Sequence, residues 1–244
     1  MAKSSREFLY GLNPAFECLR AGRRKVYDAY LNEQTYQSGR LSKLHDLLQR
    51  QGVPVELVDK GRLIQLSGTR EHQGVVLRTG TYPYVRFEEV FETQHPRLLL
   101  LDNVEDPHNV GAILRSAEIF GFTSVLLPTK GVPEVYPSVV KVSAGAAEFM
   151  QIAKDCTANK YVQLAQEAGY QVAALDAKGS IDLRDLAKDV PEKLLLVIGG
   201  EDKSVGQFIL NKAEHIVRVE QQGKINSLNA GVAAGIAMFA LSGQ

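Results

Sequence analysis

The sequence predicts an α/β protein, with a mostly parallel sheet in the C-terminal part and a small α/β unit before it. Three observations carry this. From Arg97 onward, apolar runs alternate with helical patterns, as in a parallel sheet with crossover helices. Those runs are continuous rather than alternating, so the sheet is buried on both faces. Before Thr79 strand and helix patterns also alternate, and they end at a stretch rich in proline and acid.

The elements follow in order. GLNPAFECLRAG reads as a short helix with Asn13 as its cap and Pro14 in its first turn. Val26 to Leu31 reads as a strand. Leu41, Leu44, Leu47 and Leu48 share one face of a helix running to Gln51, which Gly52 ends. VPVELV is a strand, Lys60 to Ser67 a short helix and GVVLRT a strand. Residues 1–80 thus form the small unit. Residues 81–96 read as a linker with a short amphipathic piece, and residues 97–244 as the large domain. In the large domain the strands are RLLLLDNV, SVLLP, EFMQIA, QVAALD, KLLLVIGG and HIVRVE. Helical patterns between them include Val110 to Phe120, Lys160 to Glu167 and Val205 to Ala213.

Of the 244 residues, 45% are apolar and 23% charged, which excludes disordered and fibrous classes. Net charge is zero, but the charges are unevenly placed. Residues 1–85 hold 13 Lys+Arg and 8 Asp+Glu, and the remainder holds 15 and 20. A basic front part fits contact with phosphate; it equally fits two domains with unrelated surfaces. Cys18 and Cys156 form no CxxC, which excludes a disulfide framework and a cysteine zinc site. The N-terminus has no apolar core, so no secretory signal is expected. Ser227 to Leu241 is too short and too rich in Gly and Ala to span a bilayer. The expectation is a cytoplasmic protein with no membrane partner.

Ligands of parallel α/β sheets bind outside the carboxyl ends of the strands. Three such loops are unusual. Residues 102–121 crowd Asp102, Asn103, Glu105, Asp106, His108 and Asn109 ahead of a helix with Gly111 and Arg115 one turn apart. A guanidinium there can hold phosphate or carboxylate through two parallel bonds, or simply form a surface ion pair. The strand ending at Gly199-Gly200-Glu201 offers close backbone approach to a ligand, or a plain turn. Neither a Walker A loop nor GxGxxG occurs. Asn226-Ser227-Leu228-Asn229 precedes a Gly/Ala helix, with Gly231 and Gly235 four residues apart. Small residues at that spacing let another backbone come close.

Together these loops resemble the three motifs of the SpoU/TrmH family of RNA ribose 2′-O-methyltransferases. The first motif stands as Asn103, Asp106, Pro107, Asn109, Gly111, Arg115 and Ala117, the second as Gly199 and Glu201, the third as Ser227-Leu228-Asn229. VSAGAAEFM is similar to the family's central Ser-x-Gly-Ala segment. The front part resembles its substrate-binding domain, opening with YGLNPAFECLRAG and closing with EHQGVVLR. This layout is most similar to enzymes that methylate a guanosine ribose in large-subunit ribosomal RNA.

The resemblance implies a C-terminal trefoil-knot (SPOUT) methyltransferase domain preceded by a small α/β RNA-binding domain. It implies S-adenosylmethionine as cofactor, no metal, and an active site shared across a homodimer. Arg115 takes the family's catalytic position, with Asn109, Glu201, Ser227 and Asn229 beside it. Ile198, Gly199, Val219, Leu228 and Asn229 are implied to contact the cofactor. Arg20, Arg23, Arg24 and Lys25, the densest basic cluster of the front part, are the candidates for RNA contact. Ribosomal RNA is favoured over tRNA on layout alone. Asp202-Lys203-Ser204 and Glu220-Gln221 depart from the family pattern at the cofactor rim. The competing readings are a tRNA enzyme, a non-catalytic RNA-binding or ribosome-assembly protein on the same fold, and a nucleotide-dependent oxidoreductase.

Overall fold

A computed structural model describes residues 6–201, 203–223 and 228–242. The chain begins β1 (Arg6–Tyr10), α1 (Leu12–Ala21), β2 (Val26–Asn32), α2 (Gly39–Arg50), β3 (Val55–Val58), α3 (Lys60–Ser67) and β4 (Val75–Gly80). It continues α4 (Phe87–Glu92), β5 (Arg97–Asp102), α5 (Pro107–Ile119), β6 (Ser124–Leu126), α6 (Pro137–Val142), a 3-10 turn (Ala146–Phe149) and β7 (Gln151–Ala153). The remainder is α7 (Ala158–Glu167), β8 (Gln171–Leu175), β9 (Ile181–Asp182), α8 (Leu183–Leu186), β10 (Leu194–Gly199), α9 (Gln207–Lys212), β11 (His215–Arg218) and α10 (Ala230–Leu241). Among the described residues, no helix is long and apolar enough to cross a membrane.

The contacts divide the chain into two units. The first comprises residues up to Pro83 together with Val135–Phe149. Its sheet has the order β1-β4-β2-β3, antiparallel except for β2 with β3. Leu41, Leu44 and Leu48 of α2 are buried, as their spacing requires. Asn13 does not cap α1. The helix begins two residues earlier than a cap at Asn13 would allow, behind Gly11, whose φ of 99° suits only glycine. Gln73 accepts from the free Leu12 N–H at 3.0 Å, while Asn13 accepts from Arg40.

Residues 135–149 follow the large domain's β6 in sequence, yet α6 and the 3-10 turn pack on β1 and α1. A Cβ on Gly145 would lie 2.7 Å from Glu17 Cβ, so glycine is required there for close approach. Glu148 is buried and pairs with the Arg24 guanidinium at 2.8 Å, while Glu7 takes the other side of Arg24 at 2.7 Å.

The second unit carries a sheet of order β7-β6-β5-β10-β8-β11-β9, parallel at every pairing. Successive strand residues face opposite sides. Leu98 and Leu100 of β5, Val172 and Ala174 of β8, and Leu195 and Val197 of β10 meet α4, α7 and α9. Leu99, Leu101, Leu194 and Leu196 are equally buried and face the other way. There α10 contacts β10 and α5. Burial on both sides explains why these strands read as unbroken apolar runs. Within the 81–96 stretch, Glu89 accepts from the Arg86 N–H at 2.9 Å at the start of α4, which buries Val90 in this core.

Strand order reverses at β5. The chain leaves it for β6 and β7 on one side, whereas β10, β8, β11 and β9 lie on the other. Asp102 and Gly199 are register partners at the carboxyl ends of β5 and β10. That junction is where an open parallel sheet forms its crevice.

Candidate active site

The loop after β5 is shaped by its polar residues. Asp106 accepts from His108 N at 2.9 Å and so caps α5, with Pro107 in the first turn. His108 is an exposed first-turn residue. Asn103 takes a left-handed backbone, φ 57°. Buried Asp102 accepts from Gly206 N at 2.8 Å; burial pushes its carboxyl above the usual range and that bond pulls it back.

The glycines after β10 permit close packing against this loop. A Cβ on Gly200 would overlap the Asn103 carbonyl, and one on Gly199 would lie 2.5 Å from Val205 N. On the side a Cβ would take, protein backbone fills the space, while both glycines also line a cavity at the carboxyl end of β10. The result is that Glu201 is delivered beside the first turn of α5.

Three side chains from three loops meet there. Asn109 Nδ2 donates to Glu201 Oε1 at 2.9 Å, and Asn229 Nδ2 donates to Asn109 Oδ1 at 2.9 Å and to Glu201 Oε1. Asn229 Oδ1 in turn caps α10, accepting from Gly231 N and Val232 N at 3.0 and 3.3 Å. Both ends of the Asn229 amide are committed, so it is a positioning residue. Gly231 and Gly235 face Ala112 and Ser116 of α5, as their spacing implied.

Two cavities flank the triad. One, of about 260 Å³, lies at the carboxyl ends of β8, β10 and β11. Leu175, Ile198, Val219 and Leu228 give it apolar walls, and Asp176 and Glu201 give it carboxylates. No Lys or Arg lines it among the described residues. The other, of about 320 Å³, lies between the β5 and β10 loops and includes Asn103, Asn109, Glu201 and Lys203.

The structure thus brings Asn109, Glu201 and Asn229 together, and places Ile198, Gly199, Val219, Leu228 and Asn229 around the first cavity. Ser227 and the preceding Asn226 lie outside the described residues. Arg115 is exposed on α5, and no hydrogen bond or ion pair holds it among the described residues. Gly111, one turn before it, is buried. Leu175, Asp176 and Ala177 were not anticipated; their only signal was their place just after a buried strand.

The basic cluster is corrected. Arg24 is buried in its ion pairs and unavailable to RNA. Arg23 is half-buried and donates to the carbonyls of Glu148 and Pro83. Arg20 is exposed but paired to Glu17, and Lys25 is exposed. Four cations close in sequence do not make one surface: Arg20 lies in the last turn of α1, Arg24 is turned inward between α1 and β2, and Lys25 is exposed just before β2.

Residues 96–239 match the model of the SpoU rRNA methylase family, and residues 8–85 match that of the RNA 2′-O ribose methyltransferase substrate-binding domain. This chain belongs to the SpoU family. This SpoU chain is 31% identical to YacO of Bacillus subtilis (strain 168), assigned to the TrmH family of tRNA/rRNA methyltransferases, over 96% of this chain and 94% of the relative. Its fold is similar to that of an AdoMet-bound rRNA methyltransferase from Sinorhizobium meliloti: TM-score 0.78, 22% identity, 97% of this chain and 86% of the other. Its similarity to the TrmH/SpoU tRNA-modifying enzyme of A. aeolicus covers only 64% of this chain and 80% of that one, with TM-score 0.52 and 23% identity.

Proposed function

We propose that this SpoU-family enzyme methylates the 2′-hydroxyl of a ribose in RNA, a guanosine of large-subunit ribosomal RNA, using S-adenosylmethionine. The observation that carries the reading is the Asn109–Glu201–Asn229 triad standing at the rim of a cavity with two carboxylates and no cation among the described residues. Such walls suit a cationic sulfonium ligand and repel a pyrophosphate. The apolar side chains of Leu175, Ile198, Val219 and Leu228 offer surface to a purine. The residues present therefore fit S-adenosylmethionine and do not fit NAD.

When bound, the cofactor supplies an electrophilic methyl group. The chain's own task is to align the ribose and help its hydroxyl lose a proton. A guanidinium makes a poor base, so the role of Arg115 is to bind the phosphate beside the target ribose and stabilise the forming alkoxide. The proton leaves through that phosphate. Asn109 and Glu201, fixed by Asn229, hold the rim against which the ribose is aligned, and the family resemblance assigns Ser227 to the same task.

In functional terms, residues 97–244 carry the transfer and residues 1–80 hold the RNA, with 81–96 between them. Ribosomal RNA is favoured because the likeness to the rRNA methyltransferase fold runs through both parts, whereas the tRNA-modifying fold lacks a match to much of the chain. Val232, Ile236 and Phe239 are exposed large apolar residues of α10 that line one groove with Phe120 at the end of α5, with Phe239 62% exposed. A contiguous face of that kind is unusual on a monomer. We assign it to a second copy of this chain, which completes the site around Arg115.

Titration calorimetry with S-adenosylmethionine and with NAD tests the cofactor reading. Binding of S-adenosylmethionine alone is expected; a preference for NAD would overturn it.

A further inference from the structure

Outside the site described, the densest assembly of charge and aromatic surface lies around Tyr27. Arg6, Lys25 and Arg78 stand with their charged groups 4.9, 5.1 and 5.9 Å from the centre of its ring. They come from three strands or strand ends: Arg6 opens β1, Lys25 precedes β2, and Arg78 lies in β4, the strand between β1 and β2. The pairing of β2 with β4 slips between Val26 and Asp28, so Tyr27 is the extra residue of a bulge. A bulge re-aims a side chain. Here it brings Tyr27 to the side where Arg78 pairs with Asp28.

The charge is not balanced. Asp28 answers Arg78, but no carboxylate pairs with Arg6 or Lys25 among the described residues. Glu7 is turned away to Arg24. Arg6 and Lys25 are exposed, and Tyr27 is half-buried. Cations gathered at one ring repel each other, and an anion placed between them removes that cost. An aromatic ring beside the anion site matches a polymer that alternates phosphates with flat bases.

We propose that Arg6, Lys25 and Tyr27 form an RNA-contact surface of the first unit, with Arg6 and Lys25 on backbone phosphate and Tyr27 against a neighbouring base or ribose. Arg78, held by Asp28, sets the position of the ring. The inference rests on the RNA reading above. It replaces the run at residues 20–25, of which only Lys25 belongs to this surface.

The test measures binding of a protein-free large-subunit rRNA transcript to the full chain over a range of salt, together with S-adenosylmethionine affinity. Each phosphate contact contributes about 0.7–0.9 to the slope of log affinity against log salt. Arg6→Ala with Lys25→Ala should lower the slope by about 1.4–1.8. Tyr27→Ala should weaken RNA binding roughly 5- to 100-fold, while Tyr27→Phe retains the ring and the affinity. S-adenosylmethionine affinity should be unchanged throughout. Because Lys25 is exposed, Lys25→Ala alone serves as a variant whose folding is not at issue; its slope should fall by about 0.7–0.9. If the parent chain binds and methylates RNA but these variants keep its slope and affinity, this surface is wrong and the methyltransferase reading stands. If the parent chain binds no RNA, both fall. Displacement of RNA by polyglutamate at equal charge concentration would instead assign the surface to an acidic polypeptide and overturn the proposal.

Discussion

Glu201 Oε1 accepts from Asn109 Nδ2 at 2.9 Å, joining residues 92 apart in the chain across the crevice between β5 and β10. The bond couples the first turn of α5 to the cavity at the carboxyl ends of β8, β10 and β11, and Asn229 braces both partners from the start of α10. Glu201→Ala leaves two amides without their acceptor. S-adenosylmethionine affinity should fall roughly tenfold, about 1.4 kcal/mol. Calorimetry checks it, and unchanged affinity would detach the triad from the cofactor site.

Gly200→Ala forces a methyl group onto the Asn103 carbonyl. The β5 and β10 loops must then separate. A loss of about 1–3 kcal/mol is expected, or a fall in melting temperature of roughly 2–12 °C. Gly223→Ala is the control, since a Cβ there meets nothing within 4 Å among the described residues. Thermal unfolding followed by circular dichroism compares the two; equal melting temperatures would refute the interlocked loops.

Arg24→Ala strands Glu148 in the interior of the first unit. Breaking such a pair costs about 3–5 kcal/mol. Glu148 already lies above its ordinary value of 4.5, because burial outweighs the pull of Arg24. Its raised value means that the folded state binds the proton more tightly than the unfolded chain does. Stability from this group is therefore full below about pH 4.5 and is lost as pH rises through the folded value. Without Arg24 the dependence steepens. Urea unfolding of the variant should show part of its loss recovered on lowering the pH toward 4.5; a pH-independent deficit would count against the buried carboxylate as the cause.

Phe239→Glu places a charge on the exposed apolar face shared by α5 and α10. The chain should sediment as a monomer and lose methyl transfer, while the melting temperature stays within a few degrees of the parent. A dimer that persists would move the interface elsewhere.

Much of this was legible because strand interiors and strand-end loops obey local rules. The runs at Leu98–Leu101 and Leu194–Ile198 have no polar alternation because both sides of the sheet are covered, so their strands were evident. Asn109, Glu201 and Asn229 were evident because polar residues cluster where such strands end. β1 was not: REFLY is five residues long, and its Arg6 and Glu7 are polar neighbours that point to opposite sides of the strand. Nor was the placement of residues 135–149 in the first unit, since Arg24 and Glu148 are 124 residues apart and nothing local announces their pairing. The same distance in sequence misled the reading of residues 20–25, where Arg24 is spent inside the unit. The glycines after β10 were legible as sites of close backbone approach, but not that Asn103 and Val205 occupy the side a Cβ would take, since those contacts are tertiary.

The most direct measurement incubates the purified chain with labelled S-adenosylmethionine and unmodified large-subunit rRNA, then identifies the labelled nucleoside by mass spectrometry, for the parent and for Arg115→Ala. The parent should yield a 2′-O-methylated nucleoside. The variant should lose roughly 10²–10³-fold in rate and keep its cofactor affinity. Methyl on a base, or undiminished turnover without the Arg115 guanidinium, would contradict ribose methylation directed by this residue.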